Sequence, residues 1–226
     1  MRRIVADLRV LIYDDAVDSA SIAQLLQPFA ELSPAQLEQT ATYLGLLLKW
    51  NAKVNLTAVR DPEHIVTRHF GESFFAARQL SIAGWSGSVI DFGSGAGFPG
   101  LALAMYAPSA EVTLIESNAK KATFLNEVIF ALELKNARVA RQRGENYPGT
   151  ACLVTMRAVE KFEAMIPIVL ARVQPGGRLA LMIGAGQVGV ARRLAGELSW
   201  SEAVSIPRSH SRVLLVGTKH VNVGRS

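Results

Sequence analysis

The sequence predicts an α/β domain: a mostly parallel, seven-stranded sheet with helices on both faces, preceded by a helical extension. Three observations carry this. From Val89 onward, apolar runs of strand length alternate with stretches of helical period. One such run, Val89-Ile90, leads through Asp91-Phe92-Gly93-Ser94-Gly95-Ala96-Gly97-Phe98-Pro99-Gly100 into the apolar Leu101-Ala102-Leu103-Ala104-Met105, which reads as strand, glycine turn and helix. The first 80 residues lack this alternation and read as helices.

Each element has a local cause. Ser33-Pro34-Ala35-Gln36 is a capping box with proline at the first helical position. Leu37, Thr40, Ala41, Leu44, Leu47 and Leu48 then recur at helical spacing. Asp61-Pro62-Glu63 opens another helix, whose inner face carries Ile65, Val66, His69, Phe70, Ser73, Phe74 and Leu80. Between them, Trp50 to Thr57 form a connector. Strands are expected at 88–92, 112–116, 138–141, 151–156, 178–183, 203–206 and 212–218, with helices over 119–132, 159–173 and 188–198. Pro175-Gly176-Gly177 is a turn before the fifth strand. The last two strands lie close enough in sequence to form an antiparallel hairpin. The expected organisation is an extension over 1–80 and a ligand-binding domain over 81–226, packed as one compact unit.

Composition narrows the function classes. Of 226 residues, 50% are hydrophobic, yet no uninterrupted apolar run is long enough to span a bilayer. The basic start, Met1-Arg2-Arg3, is followed by no apolar stretch of signal-peptide length before Asp14-Asp15, so a cytoplasmic protein is expected. The single cysteine, Cys152, allows no internal disulfide, and four scattered histidines offer no zinc-ligand spacing, so no metal is expected. The net charge of +5 is unevenly spread. Residues 1–80 hold 8 Lys/Arg and 9 Asp/Glu, whereas 81–226 hold 16 and 10. The surplus sits where a polyanionic substrate would dock.

The glycine turn specifies a nucleoside ligand. Its glycines permit close backbone approach, and the helix start presents N–H groups. Glu116 ends the next apolar run, where a carboxylate can accept from both hydroxyls of a ribose. Gly95, Gly97 and Gly100 also satisfy the dinucleotide spacing, so the glycines alone leave two cofactors open. Charge favours S-adenosylmethionine: a pyrophosphate is repelled by Asp91 and loses a donor at Pro99, whereas an ammonium and a sulfonium are welcome there.

Asp91 before the glycines, Glu116 twenty-five residues on, and Pro175-Gly176-Gly177 together resemble a class I S-adenosylmethionine-dependent methyltransferase. The Phe98-Pro99-Gly100 closure, Trp50-Asn51 with Asn55-Leu56-Thr57, His69 with Ser73, and Arg157-Ala158 sharpen the likeness. The chain resembles the RsmG (GidB) family from about Leu37 to about Lys219. The resemblance implies methylation of a guanine of bacterial 16S ribosomal RNA at ring nitrogen 7, with ribosomal RNA or an assembling small subunit as partner. It also implies no membrane contact and a monomer. By the same resemblance Gly93, Ser94, Gly95, Gly97 and Phe98 line the cofactor, Glu116 holds the ribose, and Gly144 and Glu145 flank the adenine. Arg157 stands beside cofactor and target base as the residue of catalysis. Arg212, Asn55 and His69 face the RNA. Two positions depart from the family: Ile183 stands where a lysine is usual, and Glu72 where an aspartate is common.

The implied chemistry agrees with the residues present. Guanine nitrogen 7 has a lone pair and no proton to lose, so no general base is required. An arginine can address the guanine O6 edge. Exocyclic-amine methylation expects a proline-rich segment where Thr155-Met156-Arg157-Ala158 stands, and carbon-5 chemistry expects a thiol at the site, whereas Cys152 begins its strand. The rival readings are a methyltransferase of the same fold with another substrate, a non-catalytic RNA-binding protein, and a nicotinamide oxidoreductase.

Overall fold

The computed structural model describes residues 17–82, 87–159 and 161–221. The extension contributes α1 (Ser19–Leu26), α2 (Pro34–Asn51), α3 (Pro62–Ile65), a π-helical turn (Val66–Gly71) and α4 (Glu72–Ile82). The α2 capping box forms as the sequence predicts, with Ser33 and Gln36 bonded reciprocally. Asp61 caps α3 by accepting from His64 N at 2.7 Å.

The rest alternates as expected: β1 (Ser88–Phe92), α5 (Gly100–Tyr106), β2 (Glu111–Ile115), α6 (Ala119–Ala131), β3 (Ala137–Ala140), β4 (Ala151–Arg157), α7 (Phe162–Leu170), β5 (Val173–Gly184), α8 (Val188–Leu194), β6 (Leu198–Trp200), β7 (Val204–Ser205) and β8 (Arg212–Lys219). The sheet order is β3-β2-β1-β4-β5-β8-β6, with β7 also on β8. β1 to β5 are mutually parallel where they pair, and β8 is antiparallel to β5.

The far edge differs from expectation. The helix predicted over 188–198 stops at Leu194, and Leu198–Trp200 becomes β6, so the edge partner of β8 is split into β6 and β7. Gly217 explains the pairing: a Cβ there would lie 2.7 Å from Leu198 Cδ1 and 2.8 Å from the Trp200 ring, so only glycine admits both side chains.

Both sheet faces are covered, as a parallel sheet requires. One buried cluster joins Ile90, Val154, Ile166, Leu179, Ile183 and Leu215 under α7 and α8. The other runs from Ile22, Tyr43 and Phe70 of the extension to Leu101, Leu114 and Phe124 on the opposite face. Tyr43 is the hinge of that second cluster. Its ring stacks on Phe98 at 5.2 Å, meets Phe70 edge-on at 4.9 Å, and its hydroxyl donates to the Ala96 carbonyl. Burial pushes the phenol well above its ordinary pKa, so it remains a donor. Among the described residues, no helix is long and apolar enough to cross a membrane.

The Tyr43 hydroxyl is therefore expected to stabilise the fold measurably. Tyr43→Phe should cost about 1–2 kcal/mol, because it leaves a buried carbonyl without that donor. Urea unfolding followed by circular dichroism checks this.

Candidate active site

At the carboxyl end of β1 the chain turns through Gly93 to Gly97. Gly93, Gly95 and Gly97 have φ values of 71°, 59° and 93°, the left-handed region that glycine enters without strain. Gly97 is doubly constrained, since a Cβ would strike the Tyr43 hydroxyl. Most of the turn's donors are engaged inside the protein. Ser94 N donates to Ile115 O at 3.0 Å, Gly95 N to Glu116 Oε2 at 3.0 Å, and Gly97 N to Ser94 O at 2.7 Å. Gly100 N donates to Asp91 Oδ2 at 3.1 Å and Leu101 N to Gly97 O at 2.8 Å. The expectation of free N–H groups at the helix start is thus corrected for Gly100 and Leu101, because acceptors lie directly beneath them. A turn so short of donors suits a pyrophosphate poorly.

Asp91 is 1% exposed, and its second oxygen, Oδ1, accepts from Thr155 Oγ1 at 2.8 Å. Burial raises its pKa, while the Thr155 and Gly100 hydrogen bonds and the Arg157 charge pull it back. Asp91 fastens the turn to α5 and β4, so its charge reaches a ligand through the turn and not through open oxygens.

Glu116 lies one residue beyond β2 and is 7% exposed. Its oxygens accept from Gly95 N and, at 2.7 Å, from Asn118 N. A carboxylate has about four acceptor sites, so two remain for a vicinal diol. The backbone bonds aim this carboxylate at the turn, and the residues fit the ribose of a nucleoside cofactor.

Arg157 ends β4, one residue beyond Met156, the partner of Phe92 on β1, and is itself paired with Met182 of β5. Its guanidinium is held by the extension. Nη2 donates to Arg68 O at 2.6 Å, to Glu72 Oε2 at 3.1 Å and to His69 Nδ1 at 3.3 Å. The other Glu72 oxygen takes Arg212, whose Nε lies 2.7 Å away and whose Nη2 also donates to it. Glu72 is 1% exposed, so one buried carboxylate carries two arginines. Burial lowers the Arg157 pKa and Glu72 opposes this. The sequence marks Glu72 only as a departure from the family, because its two arginine partners lie 85 and 140 residues away.

His69 lies in the π-helical turn between α3 and α4. Its Nε2 is 2.7 Å from Thr57 Oγ1, and Thr57 Oγ1 in turn accepts from Val59 N at 3.1 Å. With Arg157 donating to Nδ1, this network assigns a neutral ring protonated at Nε2. Burial and the charges of Arg157, Arg68 and Arg212 lower its pKa to about 3. His69 is therefore an acceptor that orients Arg157. Phe98, expected beside the cofactor, turns its ring onto Tyr43 and stacks on His69 at 5.3 Å. It couples the turn to the extension.

The remaining predicted residues spread around this edge. Asn55 is exposed and accepts from Arg60 Nη2 at 3.2 Å; the connector itself is pinned by buried Asn51, whose Oδ1 accepts from Leu56 N and Thr57 N. Gly144 and exposed Glu145 form a 3-10 turn after β3, and a Cβ on Gly144 would strike the Phe92 ring. Arg212 borders a cleft of about 230 Å³ shared with Arg68, Glu72 and Arg208. Ile183 is 5% exposed within the apolar cluster, so this position carries packing and no charge. Cys152 is half-buried near Ser88 and Gln174, at the edge opposite the glycine turn.

The fold is that of the class I methyltransferases. Magnesium protoporphyrin IX methyltransferase from Synechocystis PCC 6803, solved with bound S-adenosylmethionine, superposes with a TM-score of 0.62 at 16% identity, covering 78% of this chain and 97% of that one. An S-adenosylmethionine-dependent methyltransferase from Aquifex aeolicus gives 0.57 at 18% identity, covering 73% and 96%. These likenesses speak to the fold. The family is set by sequence: residues 36–208 match GidB, rRNA small subunit methyltransferase G, and the chain belongs to that family. Ribosomal RNA small subunit methyltransferase G of Xanthomonas oryzae pv. oryzae (strain MAFF 311018) is 46% identical over 144 residues, 63% of this chain and 66% of the relative. The chain thus spans just under two thirds of that relative's length. The protein of the same name from Chloroflexus aggregans is 38% identical over 201 residues, 83% of this chain and 84% of the relative.

Two outcomes follow. Glu72→Ala should destabilise the protein by about 3–5 kcal/mol, the cost of leaving a buried guanidinium unpaired, and Glu72→Asp by less; denaturant titration measures both. His69 has a folded pKa below its unfolded value, so the unfolded chain takes up its proton first as pH falls. Its contribution to stability is present above about pH 6.5 and declines toward about pH 3. The difference in thermal midpoint between wild type and His69→Gln should therefore narrow across that window.

Proposed function

We propose that the protein transfers a methyl group from S-adenosylmethionine to nitrogen 7 of a guanine in bacterial 16S ribosomal RNA, acting as a cytoplasmic monomer on free RNA or an assembling subunit. The observation that carries this reading is the convergence of the glycine turn, Glu116 and Arg157 at the carboxyl ends of β1, β2 and β4, in a chain of the GidB family. The relatives' name supports the RNA substrate.

S-adenosylmethionine, when bound, supplies an electrophilic methyl on a sulfonium. Gly93, Ser94, Gly95 and Gly97 would give backbone to its amino-acid portion, Glu116 would accept from its ribose hydroxyls, and Gly144 with Glu145 would border the adenine. The guanine N7 lone pair would take this methyl as the sulfur–methyl bond broke, and no residue of the chain would need to move a proton. Catalysis is then mainly positioning. Arg157 orients the base by donating to O6, since its charge would oppose a cation forming on N7. His69, neutral and committed to Arg157 and Thr57, holds that guanidinium. By the family resemblance Asn55, His69 and Arg212 are assigned to the RNA side of the opening. The extension serves as part of the same unit as 81–226, because it supplies the residues that seat Arg157.

Radiolabelled methyl transfer to ribosomal RNA from a strain lacking the gene, with nucleosides resolved, tests the reading. Labelled 7-methylguanosine is expected; cofactor binding without incorporation into RNA or particles would overturn it. Glu116→Gln should weaken S-adenosylmethionine binding about tenfold by calorimetry, the loss of a charge-assisted acceptor, with RNA affinity unchanged.

A further inference from the structure

Apart from the edge just described, the chain carries a groove of about 470 Å³ between the end of α2 with the residues after it and α6. Its wall is apolar, made by Trp50 and Val54, and three lysines surround it: Lys49, Lys53 and Lys120. The one acid of the lining, Glu127, is engaged by the Trp50 indole N–H at 3.0 Å. Trp50 is half-buried and fixed from behind by Phe124, whose ring centre is 5.8 Å away.

Two features separate these lysines from an ordinary solvated face. Among the described residues, the ammonium groups of Lys49, Lys53 and Lys120 have no ion-pair or hydrogen-bond partner. Lys120 and Lys121 stand in the first turn of α6 with no acid beside them, where the helix dipole repels cations. Residues 39–60 likewise contain Lys49, Lys53 and Arg60 and no acid at all. A ligand carrying negative charge would offset the repulsion between the helix dipole and these cations.

The position is also informative. Lys120 follows Glu116 by four residues at the carboxyl edge of the sheet, and the Lys53–Val54 side runs on to Thr57, which bonds His69. The groove's lining thus adjoins, along the chain, both the Glu116 end of β2 and the connector that bonds His69. We infer that it is a second RNA-binding subsite, taking a single-stranded segment next to the methylated guanine, with phosphates on Lys49, Lys53 and Lys120 and a base against Trp50. Flat apolar faces linked by phosphates match an apolar wall ringed by cations. This inference rests on the RNA-methylating reading above.

The test uses the full chain with Lys49→Gln, Lys53→Gln and Lys120→Gln combined, alongside the single charge reversal Lys53→Glu. Methyl transfer to protein-free small-subunit RNA is followed from about 50 to about 300 mM KCl, with cofactor affinity and thermal midpoint as controls. The triple variant should raise KM for RNA about tenfold or more at about 100 mM salt, and flatten the dependence of log KM on log salt by about 2, near 0.7 for each phosphate no longer neutralised. kcat and cofactor affinity should stay within about twofold, and Lys53→Glu should raise KM on its own. Unchanged KM and salt slope in variants beside an active wild type would overturn the subsite and leave the function standing. A defect seen only with small-subunit particles would assign the groove to an acidic protein segment and overturn it equally. A wild type that binds cofactor but methylates no RNA would remove the underlying function, and the subsite with it.

Discussion

One buried carboxylate organises this molecule's working edge. Glu72 is the first residue of α4, 1% exposed, and accepts from Arg157 on β4 and Arg212 on β8. Arg157, whose side chain is 9% exposed, could not be buried to this extent alone, because an unpaired guanidinium out of water is prohibitively costly; Arg212 keeps 30% of its side chain exposed. Through Glu72 the helical extension is clamped to two strands of the sheet, on either side of β5. The functional edge is thus shared: the sheet supplies the turn and Glu116, while the extension seats the arginine beside them.

A second linkage runs parallel to the first. Phe98 closes the glycine turn and is sandwiched between Tyr43 of α2 and His69 of the π-helical turn. The π-helical geometry matters here. The added residue per turn brings the Arg68 and His69 carbonyls to Arg157 and the His69 ring to Phe98 and Thr57. Gly71 completes it by letting the Phe29 ring pack flat against the helix, since a Cβ would sit 2.7 Å from that ring. A change of cofactor-turn shape would therefore be felt at Arg157 through aromatic stacking, and a change at Arg157 would be felt in the turn.

Local patterns were readable in the chain and long-range ones were not. The strand–turn–helix around Asp91, the capping box at Ser33 and the acid at Glu116 each depend on residues close in sequence, and each appears where expected. What Asp91 does was less visible. Its charge beside the turn was legible, but Thr155, sixty-four residues away, closes over its carboxylate. Tyr43 and Glu72 act through partners 53, 85 and 140 residues distant, and no periodicity marks such pairings. The β6 strand escaped notice for a related reason: Leu198 and Trp200 qualify as a strand only because Gly217 on β8 makes room for them.

The dependence of Arg157 on Glu72 is best measured as a double-mutant cycle, with Arg157→Ala, Glu72→Gln and the double variant compared in kcat for methyl transfer and in unfolding free energy. If the carboxylate acts by seating the arginine, the two changes are strongly non-additive, with a coupling of about 1–3 kcal/mol and little further loss of kcat in the double variant. Additive losses in kcat would mean that Glu72 and Arg157 serve catalysis independently, and the account of a shared, clamped edge would be wrong.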